Sequence, residues 1–176
     1  MGKLFIKVKT IDWNKIMEIA ARNDDLDTIK KCIINGANDW NLGMIGAAED
    51  GNKDLVNLFI EMGADKLWAG LSFAAKGGRQ SMVDYFIDKG ANNWNEGMYG
   101  AADGGYIELV KYFVEKGANN WNMGMCFAAK GGNLDIIRYF IDKGANDWLN
   151  ALEYASRGGY PLTIQFLIQK LDGFTV

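Results

Sequence analysis

The 176-residue sequence has no histidine, one proline and two cysteines. Without histidine there is no imidazole for a catalytic triad, for acid–base work near neutral pH or for the commonest metal ligation. Cys32 and Cys126 stand too far apart for a metal-ligand spacing, and a chain of this size needs no disulfide. Both are read as free thiols of a reducing compartment. No Asn-x-Ser/Thr sequon occurs, although asparagine is abundant. No apolar run approaches the roughly 20 residues of a membrane helix. The start, MGKLFIKVKT, is too short and too charged for a signal peptide, and Ile6 stands where a myristoylation motif needs Ser or Thr. Net charge is only −3, and lysines alternate with acids instead of forming a basic stripe, which argues against a nucleic-acid partner. Asp24-Asp25-Leu26-Asp27 lacks the glycine and distal glutamate of a calcium loop. The Gly-Gly pairs at 77–78, 104–105, 131–132 and 158–159 lack the Lys-Ser/Thr of a phosphate loop. These absences predict a cytoplasmic chain with no cofactor, no metal, no membrane and no nucleic acid.

What is present is a repeat. Gly-Ala recurs at Gly36, Gly63, Gly90, Gly117 and Gly144, always at the same interval of 27 positions. Residues 91–117 and 118–144 are identical at 15 of 27 positions and conservatively exchanged at seven more. Ala-Ala recurs at Ala20, Ala47, Ala74, Ala101 and Ala128. Tryptophan recurs at Trp13, Trp40, Trp94, Trp121 and Trp148, with Trp68 one place out of register. Each unit reads as two short helices. In the fourth, the first runs from about Asn95 to Asp103 after a cap at Asn93 or Asn95 and stops at Gly104-Gly105. The second starts near Glu108, carries Leu109, Val110, Phe113 and Val114 at helical spacing, and ends at Lys116-Gly117. One such pair cannot bury its own apolar face, so neighbours must stack.

The pattern G-M-x-x-A-A-x-G-G-x-[LI]-[DE]-[LI]-[VI]-x-Y-F-[IV]-[DE]-K-G-A resembles the ankyrin repeat, and the resemblance covers nearly the whole chain. It implies an all-α, ankyrin-like solenoid of six helix-turn-helix repeats and a non-catalytic module that binds a partner protein. The usual unit has about 33 residues. Here six are missing between Gly-Ala and Ala-Ala, so the hairpin fingers are expected to be short loops. The family's T-P-L-H is replaced by residues such as Met123-Gly124-Met125-Cys126. The Trp-Asn and Gly-Met wording resembles repeats of large DNA viruses of amoebae, which for a viral protein would mean the host cytoplasm. The organisation expected is an extension at 1–9, a single solenoid domain at 10–171 (10–36, 37–63, 64–90, 91–117, 118–144, 145–171) and a tail at 172–176. Lys30 and Lys31 suit a solvent-facing first unit, Pro161 enters the last second helix, and Leu4, Ile6 and Val8 alternate weakly enough to lie against the first unit.

Comparing units within the chain shows where function is expected. Units four and five differ non-conservatively at Glu96/Met123, Tyr99/Cys126, Gly100/Phe127, Asp103/Lys130 and Tyr106/Asn133. The first four lie at i, i+3, i+4 and i+7 of the first helix, one face about 100° wide. In the ankyrin family this helix lines the concave groove. The expected partner-binding face is therefore Leu42, Ile45, Glu49, Ser72, Phe73, Lys76, Arg79, Glu96, Tyr99, Asp103, Tyr106, Met123, Phe127, Lys130, Tyr154 and Arg157, with Glu153 beside them. Gly46, Phe73, Gly100 and Phe127 alternate small and large, which also fits packing between units. Glu49, Lys76, Asp103 and Lys130 alternate in sign, as an exposed ladder worth roughly 0–1 kcal/mol per pair would. The near-invariant Trp13, Trp40, Trp94, Trp121 and Trp148 are read as structural, against the alternative of an indole edge that binds peptides or bases. The neighbouring asparagines are read as caps and loop bridges, and Tyr85, Tyr112 and Tyr139 as core residues with hydroxyls in solvent. The competing function is a structural spacer or self-associating scaffold component; a monomer and no enzyme activity are expected.

Overall fold

The computed structural model describes residues 11–173; the alternating Leu4, Ile6 and Val8 lie outside the described residues. Six helix pairs follow one another: α1 (Trp13–Arg22) and α2 (Leu26–Ile34), α3 (Trp40–Asp50) and α4 (Lys53–Glu61), α5 (Leu67–Lys76) and α6 (Gln80–Asp88). The chain continues with α7 (Trp94–Gly104) and α8 (Ile107–Glu115), α9 (Trp121–Lys130) and α10 (Leu134–Asp142), α11 (Trp148–Gly158) and α12 (Pro161–Asp172). No strand occurs among the described residues.

The local chemistry explains these bounds. Asp12, Asp25, Asp39, Asn52, Asn120 and Asp147 each precede a helix, and each side chain accepts the backbone N–H three residues on. Such a cap stabilises a helix start by about 1 kcal/mol. Asn93 stands at the cap of α7, whereas Asn95 lies inside the helix. Pro161 opens α12, where its missing N–H costs nothing. The recurrent Gly-Ala ends the second helices. Gly36, Gly63, Gly90, Gly117 and Gly144 have φ of 94–113°, and the alanine N–H that follows each donates back into the helix, at 2.9 Å, to Cys32, Phe59, Phe86, Phe113 and Phe140 carbonyls in turn. This is a Schellman turn, which needs a left-handed residue and an apolar one after it. Ala37, Ala64, Ala91, Ala118 and Ala145 are buried accordingly.

The Gly of Gly-Met has a different role. A methyl group on Gly43, Gly70, Gly97 or Gly124 would lie 2.3–2.5 Å from the ring of Phe59, Phe86, Phe113 or Phe140. Those four rings have no solvent exposure, each burial worth roughly 1.5–3 kcal/mol. The first helix thus gives up a side chain so that the second helix can insert a ring. The same register holds Ile16 with Cys32 in the first pair and Ala151 with Leu167 in the last, so size on one helix is compensated on the other.

First helices of neighbouring repeats pack directly on one another, while second helices of neighbouring repeats meet only sparsely. Unequal spacing of two stacked rows bends the stack towards the closer row, making the first helices the inner layer. The approach is backbone on backbone at the first glycine of each Gly-Gly pair. A methyl group on Gly77, Gly104, Gly131 or Gly158 would lie 2.0–2.2 Å from the carbonyl oxygen of Glu49, Lys76, Asp103 or Lys130.

On the outer layer, Tyr85, Tyr112 and Tyr139 are half-buried. Contrary to the expectation of hydroxyls in solvent, Tyr85 and Tyr112 donate to Asn57 and Asp84 of the preceding second helix. The sparse contact between second helices leaves a gap that these phenols cross. Lysines cover the rings: Lys53 and Lys89 over Tyr85 at 4.6 and 5.2 Å, Lys116 over Tyr112 at 5.3 Å, and Lys143 over Tyr139 at 5.6 Å. Lys30 and Lys31 are exposed on α2.

Candidate recognition face

The inner row carries most of the residues that vary between units, at several levels of burial. Ile45 and Tyr99 are buried, at 9% and 7% exposure. They stand on the side of their helices that faces the neighbouring first helix, so neither offers an open surface. The Tyr99 ring stacks on Phe127 with centroids 5.1 Å apart, and Phe127 meets Tyr154 edge-on at 5.5 Å. Burial, and then the charge of Glu96, push the Tyr99 phenol up to about 12. Leu42, Ser72, Phe73, Glu96, Met123, Phe127 and Tyr154 are half-buried, and the Ser72 hydroxyl donates to the Glu96 carbonyl at 2.8 Å. Arg157 and Glu153 are exposed and paired with each other. Lys76, Lys130 and Arg157 lie over Phe73, Phe127 and Tyr154 at 5.4, 5.6 and 5.3 Å, so each of these three rings has a cation above it.

Arg79 and Tyr106 do not join this row. Both stand just before a second helix and reach back onto the preceding repeat. Arg79 Nε donates to the Glu49 carbonyl at 3.3 Å, and its guanidinium pairs with Asp50. The Tyr106 ring lies over Gly78, where a methyl group would be 2.3 Å from Cε1. The helix-turn register puts them at the inter-helix turn, outside the arc that the first-helix positions share.

The charge ladder is longer and drier than expected of an exposed one. Lys15 and Arg22 both pair with Glu18, Arg22 and Lys76 with Glu49, and Lys76 and Lys130 with Asp103, at 2.6–3.6 Å. Glu18 is buried, and the side chains of Glu49 and Asp103 are only 17% and 10% exposed. Glu18 takes both cations from its own helix, whereas Glu49 and Asp103 are each shared by cations of the two flanking first helices, which the close approach of neighbouring helices brings within reach. Comparison of the fourth and fifth units missed Glu18, since its register holds Ile45, Ser72, Tyr99 and Cys126 in the next four repeats. The i, i+4 pair with Arg22, which recurs as Glu153 and Arg157 in the last repeat, is the signal that marks it.

The indoles of Trp13, Trp40, Trp94, Trp121 and Trp148 are half-buried against the core at the start of each first helix. Trp121 stacks on Phe140 at 6.4 Å, and Trp40 Cδ1 lies 3.6 Å from where Gly63 would carry a methyl group. The following asparagine is a clamp. Asn14 Oδ1 accepts the N–H groups of Asn38 and Asp39, Asn41 those of Asp65 and Lys66, Asn95 those of Asn119 and Asn120, and Asn122 those of Asn146 and Asp147, at 2.8–3.1 Å. The regular recurrence of Trp-Asn is the signal that marks it. In the third repeat Leu67 takes the indole's place and Trp68, 44% exposed, takes the asparagine's, so that junction lacks the clamp.

Both thiols are buried, and burial pushes Cys126 up to about 11 and raises Cys32; neither is an activated nucleophile. No group of three or more metal-ligating side chains is found among the described residues, and no described helix is long and apolar enough to cross a membrane.

Stacked helix pairs of fixed period, a continuous core and an inner row of variable side chains define the class of helical repeat solenoids. A family model of ankyrin repeats (3 copies) matches residues 44–123 and 97–175. The chain belongs to the ankyrin-repeat family, whose members are generally non-catalytic protein–protein interaction modules. No curated protein matches the chain.

Proposed function

We propose that this is a cytoplasmic, monomeric, non-catalytic adaptor that holds a partner protein against the inner row of first helices. The observation that carries the reading is the contrast between layers. Between the fourth and fifth units the second helices differ only by conservative exchanges, while the half-buried and exposed positions of the first helices change in size and charge. Aromatic, methionine and arginine side chains there (Phe73, Met123, Phe127, Tyr154, Arg157) are the types protein interfaces favour. With the fingers reduced to short loops, recognition rests on the helices themselves. The test compares the wild-type chain with the fourfold variant Leu42→Ser, Met123→Ser, Tyr154→Ser, Arg157→Ser in quantitative affinity capture. Proteins retained by the wild type and lost from a variant that still unfolds cooperatively support the reading. An identical set on both sinks it.

The scaffold reading draws on one observation: Leu149 and Leu162 of the last pair are 70% and 71% exposed. A concentration series in light scattering separates the two, because an invariant monomer mass excludes self-association through that end.

A further inference from the structure

Glu96 differs from the other carboxylates of the inner face. Glu18 has Lys15 and Arg22, Glu49 has Arg22 and Lys76, Asp103 has Lys76 and Lys130, and Glu153 has Arg157. The Glu96 carboxylate has no ion-pair or hydrogen-bond partner among the described residues, yet it is half-buried. Its register holds Ala69 in the preceding repeat and Met123 in the next, so both flanks are apolar. Desolvation accordingly raises its pKa, and no nearby cation offsets that. A charge is being held in poor solvent without a counter-ion. The equivalent sites hold Lys15, Leu42, Ala69, Met123 and Asn150, so no other repeat places a carboxylate there.

The carboxylate also opens onto space. A hollow of about 370 Å³ is lined by Asn92, Asn93, Trp94, Asn95, Glu96, Tyr99 and Gly117. Its formal charge is one-sided. The Asn92, Asn93 and Glu96 side chains carry acceptor oxygens, and no lysine or arginine lines it. Asn95 Oδ1 is already engaged with Asn119 and Asn120. The half-buried Trp94 indole supplies an aromatic surface, while the Tyr99 ring is buried against Phe127. A polar hollow with one unneutralised carboxylate, amide oxygens and an indole fits a planar cation with several donors. Guanidinium has five N–H groups in a fixed fork, pairs bidentately with carboxylate and stacks on aromatic faces, whereas ammonium is a compact, strongly hydrated point charge.

We infer that the Glu96 hollow receives an arginine side chain of the partner protein, the guanidinium pairing with the Glu96 carboxylate beside Trp94. The inference deepens the proposed function by naming the anchor chemistry, and it rests on that reading for the identity of the occupant as a protein side chain. The cation restores to Glu96 the counter-charge that the rest of the inner row supplies from within the chain, so this site is where an outside charge completes the ladder's logic.

The probe is N-acetyl-arginine amide, titrated into the full chain and followed by amide and indole NMR shifts. The expected result is a saturable shift confined to residues 92–99 and the Trp94 indole N–H, absent for N-acetyl-citrulline amide, which keeps the shape and loses the charge. Glu96→Gln should abolish the shift while leaving the rest of the spectrum in place. Equal shifts with citrulline, or none with arginine, overturn the inference. Capture of partner by Glu96→Gln separates the two claims. A partner lost by the fourfold Leu42, Met123, Tyr154 and Arg157 variant but kept undiminished by Glu96→Gln leaves the inner face as the binding surface and removes the arginine anchor.

Discussion

Adding one carbon at Gly124 measures how tightly the two helices of a repeat interlock. In Gly124→Ala the new methyl group would lie 2.5, 2.8 and 2.9 Å from Cζ, Cε1 and Cε2 of Phe140. Real side chains do not approach so closely, and the ring has nowhere to go, since Phe140 is fully buried with Trp121 stacked on it. Overpacking of this kind costs about 1–3 kcal/mol. Phe140→Leu alone leaves a partial void at a cost of roughly 1–2 kcal/mol, a fraction of the roughly 3–5 kcal/mol for truncation to alanine. Combined, the two substitutions recreate the Ala151 and Leu167 pair that the last repeat already carries in the same register. The double variant should therefore recover about 1–2 kcal/mol relative to the sum of the singles, a coupling large enough to resolve for residues in contact. Urea titrations followed by far-ultraviolet circular dichroism give the three free energies. Each kcal/mol corresponds to a Tm change of roughly 2–4 °C at this size. Strict additivity of the two singles would refute the interlock.

Asn95→Ala should strip the acceptor from the Asn119 and Asn120 N–H groups, lowering stability by about 1 kcal/mol and speeding hydrogen exchange at those two amides; the same amides in Asn122→Ala should stay protected. For Glu96 the pKa is raised in the folded chain above the ordinary 4.5, so the native state holds its proton more tightly than the unfolded state and its charged form is a penalty. Glu96→Gln should then be more stable than the wild type above the folded pKa, with the gain fading as pH falls towards 4.5; a constant difference across pH in parallel melts would count against the desolvated carboxylate.

The repeat period, the two helices per unit and the glycine punctuation were legible because they answer to local chemistry: caps, Schellman turns and an apolar spacing of helical period. The inner face was legible only in outline. Angular position on a helix says which residues share an arc, and the arc at Tyr99 and Ile45 is shared with the flank that meets the next helix. How far that flank is covered depends on the separation of neighbouring helices, set by glycine carbonyl contacts at Gly46, Gly77, Gly100 and Gly104 that no single-unit reading contains. Arg79 and Tyr106 were grouped with the face because they vary, but variation also occurs where side chains brace the turn of the previous repeat. The recurrence of Trp-Asn marked the asparagines as loop bridges, but which amides they hold is a relation between neighbouring units, and the Glu18 pair returns only at the far end of the chain as Glu153 and Arg157.

The size and charge alternations on the inner row run in step. Gly46 comes with Glu49, Phe73 with Lys76, Gly100 with Asp103 and Phe127 with Lys130. The small residues sit where a neighbouring backbone carbonyl closes in, at 2.2 Å from a methyl on Gly46 and 1.9 Å on Gly100, and the rings stand at the intervening, wider junctions. The smallest unit that can tile with itself is therefore a tandem, one odd and one even repeat, and not the single motif. An array made from one averaged motif would line up identical charges along the inner row and give every junction the same width. It would lose both the charge alternation and the alternating pitch, which this chain keeps from the second repeat to the fifth and gives up only at the last, where Tyr154 and Arg157 follow Phe127 and Lys130.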